Sequence, residues 1–183
     1  MKNIVVLNGS PDNQGETNLR LNELSKRIAV SGDQYDQIDI RELDIHHCTG
    51  CWSCWNKTPG VCIFNDDMSD CYRKIMQADL VIMASPLIMG YPSAILKRFM
   101  DRLIPLVHPY IEWENGECHH MARYDHYPRM ALILEKEADT DNDDINIVRD
   151  LFSRAARNLK TDLAFTYTTS DDLEDLYNEI NNL

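Results

Sequence analysis

The sequence predicts an α/β fold in which a parallel sheet is covered by helices on both faces. First, five short segments typical of strands alternate along the chain with segments whose apolar residues recur at helical spacing. Second, DLVIMAS (79–85) has a continuous apolar run, as expected of a strand buried on both sides of a parallel sheet. A length of 183 residues and an apolar content of 44% suit one domain, residues 1–183, with a full-sized core.

The strands follow from their residue types. Residues 4–7 form a β-branched run, QYDQIDI (34–40) alternates weakly, and the last two strands are rich in aliphatic and aromatic residues. The predicted strands are residues 4–7, 34–40, 79–85, 129–135 and 162–168.

The helices follow from apolar stripes at i, i+3, i+4 and i+7 spacing. The stripes are Leu21, Leu24 and Ile28; Met68, Cys71 and Ile75; Leu96, Phe99, Met100 and Leu103; Ile145, Val148, Phe152, Ala155 and Leu159; and Leu173, Leu176 and Ile180. We place Pro92 in the first turn of the third helix and expect Pro105 to end that helix.

Charge and hydropathy exclude several classes of partner. The chain carries 18 Lys and Arg against 30 Asp and Glu, and a net charge of -12 would repel a nucleic-acid backbone. The N-terminal apolar run is too short for a signal peptide, and no later run reaches membrane-spanning length. We therefore expect a soluble, cytoplasmic protein that binds neither nucleic acid nor membrane.

The loop after the first strand, NGSPDNQGETN (8–18), suits a phosphate. Ser10 and Thr17 offer hydroxyls, the glycines let the chain turn tightly, and the next helix points free N–H groups into the loop. The loop matches neither G-x-x-x-x-G-K-[ST] nor G-x-G-x-x-G, which disfavours nucleoside triphosphates and a Rossmann-type dinucleotide site. The alternative is an ordinary strand-to-helix turn, which favours the same residue types.

Three segments in order, GSPDNQGETN, DDMSDCYRKIMQADLVIMASP and SAILKRFMDR, resemble the NADPH-dependent FMN reductase family of the flavodoxin-like superfamily. The resemblance runs from Lys2 to about Leu106. It implies a flavodoxin-like three-layer sandwich with a five-stranded parallel sheet in the order 2-1-3-4-5. It also implies bound FMN, NAD(P)H as the electron donor, and a homodimer.

Carried over residue by residue, the resemblance assigns two parts of an FMN site. The first holds the phosphate through Ser10, Thr17 and Asn18, in a loop shaped by Asn13 and Gly15. The second runs along the isoalloxazine ring and consists of Pro86, Leu87, Ile88, Met89 and Gly90. The alternative for this apolar segment is that it only closes the top of the core.

The chain departs from the family pattern at three places. Ile88 stands where Tyr is frequent, Asp12 stands where Arg is common, and LEKEADTD (134–141) replaces a glycine-rich turn near the ring. These departures leave the flavin's orientation less defined than its binding.

The cysteine loop at 46–65 has two interpretations. Cys48, Cys51, Cys54 and Cys62 follow the pattern C-x2-C-x2-C-x7-C, which can surround a 4Fe-4S cluster and resembles the iron-sulfur flavoproteins. We favour a cysteine-rich active-site loop without a cluster, because the gap before Cys62 is long and no Pro follows it. Zinc and a C-x-x-C dithiol are weaker alternatives. Cys71 is expected to pack as a small apolar side chain.

The insertion at 105–128 holds four of the six histidines and Cys118, but their spacing fits no standard metal site. Its aromatic residues favour a lid over the flavin or a dimer surface, and the alternative is an ordered surface loop.

Flavin chemistry needs no catalytic side chain, and none is assigned here. We expect an FMN-binding NAD(P)H-dependent oxidoreductase that reduces a flavin, quinone, nitro compound or similar small acceptor. The alternatives are an iron-sulfur flavoprotein that carries electrons and a flavin-binding module without turnover.

Overall fold

The computed structural model describes all 183 residues. The strands are β1 (Asn3–Asn8), β2 (Gln34–Asp39), β3 (Leu80–Ile88), β4 (Tyr91–Pro92), β5 (Val107–Glu114), β6 (Glu117–Ala122), β7 (Arg129–Glu135) and β8 (Leu163–Thr168). The helices are α1 (Glu16–Ser31), α2 (Ser53–Asn56), α3 (Met68–Met76), α4 (Ala94–Asp101), α5 (Asn142–Asn158) and α6 (Leu173–Asn182).

The central sheet has the order β2-β1-β3-β7-β8, and all four pairings along it are parallel. Counted along the chain, these five strands have the order 2-1-3-4-5, which confirms the predicted topology. Parallel strands require crossover connections, and the helices that make them cover both faces of the sheet. Because the strands share one direction, the loops after β1, β3 and β7 lie at the same edge.

Alternation along β1 divides the core into two layers. Val5 and Leu7 pack in the layer formed with α3, α4 and α5, whereas Ile4 and Val6 pack in the layer formed with α1 and α6. Successive residues of a strand point to opposite faces, so one apolar strand supplies both layers. Cys71 is buried in the first layer, as predicted for a small apolar side chain.

Two details of the third predicted helix are wrong. Pro92 lies outside the helix, in β4, which pairs antiparallel with the end of β3. Ser93 is the N-cap instead, and its Oγ accepts from the N–H of Leu96 at 3.2 Å. The helix ends at Asp101, so Leu103 is buried beyond its end and Pro105 lies in a separate 3-10 turn.

The insertion contains strands that the sequence analysis did not predict. β5 and β6 form an antiparallel hairpin, joined by a two-residue turn in which Asn115 and Gly116 both have positive φ. Asn-Gly is the favoured sequence for a type I′ hairpin turn, which requires φ > 0 at both positions. The predicted count of five strands is therefore too low, since β4, β5 and β6 are additional.

None of the helices combines the length and the apolar character that a membrane crossing requires.

Candidate functional site

Asn8, the last residue of β1, connects the loop that follows it to α1 and β2. Asn8 is fully buried, and its Nδ2 donates to Asn18 Oδ1 at 2.8 Å and to Asp39 Oδ1 at 2.6 Å. Its Oδ1 accepts from the N–H of Ser10 at 3.0 Å. One amide side chain thus fixes the start of the predicted phosphate loop, residues 8–18, against α1 and β2.

Gly9 makes the close contact between the phosphate loop and α4. A Cβ at this position would lie 2.8 Å from Leu96 Cβ, which only glycine avoids. Its N–H donates to Ala84 O at 2.8 Å, and its carbonyl accepts from Ser93 Oγ at 2.5 Å. Ser93 N–H in turn donates to Ser85 Oγ at 2.9 Å, so the two predicted halves of the FMN site are joined through Gly9, Ser85 and Ser93.

Thr17 holds an anion at the N-terminus of α1. Its N–H and its Oγ1 hydroxyl both donate to Glu135 Oε2, at 2.8 and 2.6 Å. This carboxylate oxygen has the charge and acceptor character of a phosphate oxygen, and it lies at the positive end of the helix dipole. The donor set around Thr17 therefore fits a phosphate group, for which Glu135 stands in.

The other predicted loop residues differ in their surroundings. Asn18 is buried and its Nδ2 also donates to Asp12 O, whereas Asn13 is exposed. Asp12 Oδ1 accepts from the N–H groups of Gln14 and Gly15 at 2.8 and 2.7 Å, which holds the pKa of Asp12 below its ordinary value. The acidic residue at this position shapes the loop by accepting its N–H groups.

The second predicted segment forms a tight turn at the end of β3. Met89 and Gly90 both have positive φ between the paired residues Ile88 and Tyr91. Ile88 and Met89 are 47% and 94% exposed, while Leu87 is buried in the core and Pro86 is half-buried. The turn therefore offers Ile88, Met89 and the backbone of Gly90 to a ligand, and Leu87 anchors it.

Sequence reasoning missed three residues of this site. They are Asn8, Glu135 and Glu137, whose Oε2 accepts from the N–H of Gly90 at 3.2 Å. The available signal was their position, because the first two end their strands at the carboxyl edge and Glu137 follows two residues later.

Both ends of the cysteine loop meet at a buried ion pair. Arg102 Nη1 donates to Asp66 Oδ2 and to His46 O, each at 2.7 Å, and Nη2 donates to Asp66 Oδ1 at 3.0 Å. The two side chains are 1% and 2% exposed. Asp66 Oδ2 also accepts from His46 N–H, so one carboxylate ties residue 46 to residue 66.

All four predicted cysteines line one cavity, together with Arg102. Cys48 and Cys51 are exposed, Cys62 is half-buried and Cys54 is buried at the short helix α2. All six cysteines of the chain are free thiols. No group of three or more Cys, His, Asp or Glu side chains is close enough together to hold a metal ion as the side chains stand.

The thiols of the loop differ in acidity. Burial raises the pKa of Cys54, and charge on Cys62, Cys48 and Cys51 acts in the same direction. The N–H and then the hydroxyl of Ser53 lower the pKa of Cys51. A like charge disfavours a thiolate, so the neighbouring cysteines add to the effect of burial on Cys54.

The chain matches the sequence model of the family described as NADPH-dependent FMN reductase over residues 2–116. Among curated proteins, it is 35% identical over 108 residues to an iron-sulfur flavoprotein of Archaeoglobus fulgidus, covering 59% of this chain and 48% of the relative. It is also 35% identical over 103 residues to an iron-sulfur flavoprotein of Methanocaldococcus jannaschii, covering 56% and 52%. The chain thus spans about half the length of the curated relatives it matches.

Among solved structures, the NAD(P)H:quinone oxidoreductase from Methanothermobacter marburgensis superposes with a TM-score of 0.66. The match covers 98% of this chain and 94% of that one at 14% identity, and it supports the flavodoxin-like fold.

Proposed function

The chain belongs to the NADPH-dependent FMN reductase family, and from this membership and the geometry at the strand ends we propose that it is an FMN-binding NAD(P)H-dependent oxidoreductase. The acceptor would be a flavin, quinone, nitro compound or similar small molecule. The single observation that carries the proposal is that Thr17 holds a carboxylate, that of Glu135, at the α1 N-terminus. This position lies at the same edge of the sheet as the exposed turn at Ile88–Gly90.

The residues of this chain would divide the work of binding. Thr17 N–H, Thr17 Oγ1 and the hydroxyl of the buried Ser10 would donate to the phosphate, and the helix dipole would add to their effect. Ile88 and Met89 supply apolar surface for a ring, and the Gly90 N–H supplies a donor at its edge. When bound, FMN supplies a ring that takes hydride from a nicotinamide and passes electrons to an acceptor.

The test of this function is reduction of bound flavin by a nicotinamide. Purified protein loaded with FMN is mixed with NADH or NADPH without oxygen, and the flavin absorbance is followed. We expect one or both nicotinamides to bleach it faster than they bleach free FMN. Tight FMN binding without bleaching by either would contradict the oxidoreductase and favour the flavin-binding module.

A second candidate function, an iron-sulfur flavoprotein that carries single electrons, is favoured by the four cysteines on one cavity. Two curated relatives of that name match the chain. Cys48, Cys51, Cys54 and Cys62 would hold a 4Fe-4S cluster as thiolates, and the cluster would supply one-electron transfer. Such a cluster needs no preformed closed site, because ligands close around metal as it binds.

Iron and acid-labile sulfide analysis of anaerobically purified protein decides between the two candidates. The cluster predicts about four iron atoms per chain in the natural protein and in a Cys118→Ser control, whose thiol lies outside the loop. Cys54→Ser should lose most of this iron. Less than one iron per chain in the natural protein would remove the second candidate.

A further inference from the structure

The anion at the N-terminus of α1 belongs to the chain itself. Glu135 is the last residue of β7, and its Oε2 reaches across the strand ends to both donors of Thr17. The same oxygen lies 3.5 Å from where a Cβ on Gly15 would stand. Because Thr17 supplies the donors that an FMN phosphate would use, the carboxylate and the phosphate cannot both occupy them.

The loop has no cation of its own to neutralise a second anion. Arg41 lies close enough for its charge to act on Asp12, but it is already paired with Asp39 and Glu42. Residues 9–18 include no Lys or Arg, and the Glu135 carboxylate is hydrogen-bonded to Thr17 and to no cationic side chain. Asp12 already takes the N–H groups of Gln14 and Gly15. A phosphate that enters this loop must therefore displace Glu135, since two like charges at shared donors repel each other.

A second carboxylate of the same segment occupies the other half of the site. Glu137 Oε2 accepts from the N–H of Gly90 in the exposed turn after β3. The N–H of Glu137 itself donates to Thr140 Oγ1 at 3.0 Å, which fixes the backbone of this segment. Residues 135–137 thus join the phosphate loop to the ring segment, and LEKEADTD is where this chain departs from the family's glycine-rich turn.

We propose that Glu135 is an internal competitor of FMN, a residue that holds the phosphate position in the flavin-free protein and so sets how tightly FMN binds. Glu137 likewise accepts the N–H of Gly90 in the ring segment. This inference rests on the proposed function, because it takes the Ser10–Asn18 loop as the phosphate site. When the flavin leaves, the Glu135 carboxylate takes the donors of Thr17. No buried donor is then left unpaired.

The experiment compares flavin affinities of flavin-free Glu135→Ala, Glu135→Gln and natural protein at pH 7, by quenching of flavin fluorescence. We expect Glu135→Ala to bind FMN about tenfold more tightly, because the phosphate no longer displaces a charged acceptor. Glu135→Gln should fall between the two, since the amide still accepts but carries no charge. Riboflavin, which has no phosphate, should bind all three proteins equally.

Two controls separate this effect from a general loss of negative charge. Glu23→Ala removes an exposed carboxylate of α1 that lies outside the loop and pairs with Arg20, so it should change FMN affinity by less than about twofold. Inorganic phosphate should raise the thermal unfolding midpoint of Glu135→Ala more than that of the natural protein. Far-UV circular dichroism verifies that each variant is folded.

The outcomes distinguish this inference from the proposed function. If Ser10→Ala/Thr17→Ala weakens FMN binding but Glu135→Ala and Glu135→Gln leave it unchanged, the loop binds phosphate. The proposal that Glu135 competes with FMN is then overturned. The same holds if Glu23→Ala tightens FMN binding as much as Glu135→Ala does. If neither the double variant nor the Glu135 variants change FMN affinity, the phosphate site itself is wrong.

Discussion

At the residue scale, single buried polar side chains determine the geometry of both candidate sites. Asn8 fixes the phosphate loop through three hydrogen bonds, and Asp66 closes the cysteine loop through its bonds to Arg102 and His46. A buried polar group without a partner is costly, so these bonds are specific structural constraints.

The Arg102–Asp66 pair should contribute strongly to stability. Replacing Arg102 with Met removes the cationic partner of a buried carboxylate, a change that typically costs about 3–5 kcal/mol. Urea unfolding measures this loss. Arg73→Met is the matched control, because its pair with Asp70 is exposed and should cost less than about 1 kcal/mol. Equal losses in the two variants would contradict the structural role of the buried pair.

The same pair predicts how stability depends on acid. Burial acts to raise the pKa of the Asp66 carboxyl, but hydrogen bonds from Arg102 and from His46 N–H outweigh it and the pKa lies below its ordinary value. A lowered folded pKa means that the contribution is complete above the unfolded value of about 3.9 and is lost as pH falls through the folded value. Stability should therefore decline on acidification below about pH 5 less steeply in Asp66→Asn than in the natural protein. Parallel curves would rule this linkage out.

At the element scale, the β5–β6 hairpin is docked on α5 by charged side chains. Glu117 accepts from Arg154 Nε at 3.1 Å and from Arg157 Nη1 at 3.3 Å. Lys160, just beyond α5, donates to Glu112 and to Glu114. These ion pairs hold the hairpin on α5 together with the buried His119, whose Nδ1 lies 3.1 Å from Asn158 Oδ1. The role of the hairpin as a lid or dimer surface stays a prediction.

Glu117→Gln should loosen this hairpin without affecting the sheet. The variant removes the charge shared by two arginines and so weakens the bonds that hold the hairpin tip on α5. Amide hydrogen exchange over residues 107–122 should accelerate severalfold, while β1, β3 and β7 exchange as before. Glu23→Gln, which removes an exposed partner of Arg20 on α1, is the control. Unchanged exchange in the hairpin would mean that apolar contacts hold it.

At the scale of the whole molecule, the sequence predicts the sheet because its signals are local and repeated. The apolar run 79–85 predicts a buried strand, and the spacing of apolar residues predicts α1, α3 and α5. The family resemblance adds the strand order. The hairpin was missed because apolar and polar residues alternate poorly along β5 and β6, which also contain scattered histidines and charged residues. The Asn115–Gly116 turn was the available local signal.

The candidate site was predictable only where its residues are consecutive. Ser10 to Asn18 and Pro86 to Gly90 are continuous segments, so motif reasoning finds them. Glu135 contacts Thr17 from 118 residues away, and no local pattern specifies that contact. The homodimer that the resemblance implies also stays a prediction, which light scattering of the purified protein can measure.

FMN binding at the loop after β1 is tested by the affinity of flavin-free Ser10→Ala/Thr17→Ala for FMN and for riboflavin. The two substitutions remove the hydroxyls that would donate to the phosphate, and each bond to a charged acceptor contributes roughly 1.5–3 kcal/mol. Allowing for recovery by water, we expect FMN affinity to fall at least about tenfold while riboflavin affinity stays unchanged. Equal weakening of both flavins would show that the loop only shapes the fold, and no change in either would contradict FMN binding at this loop.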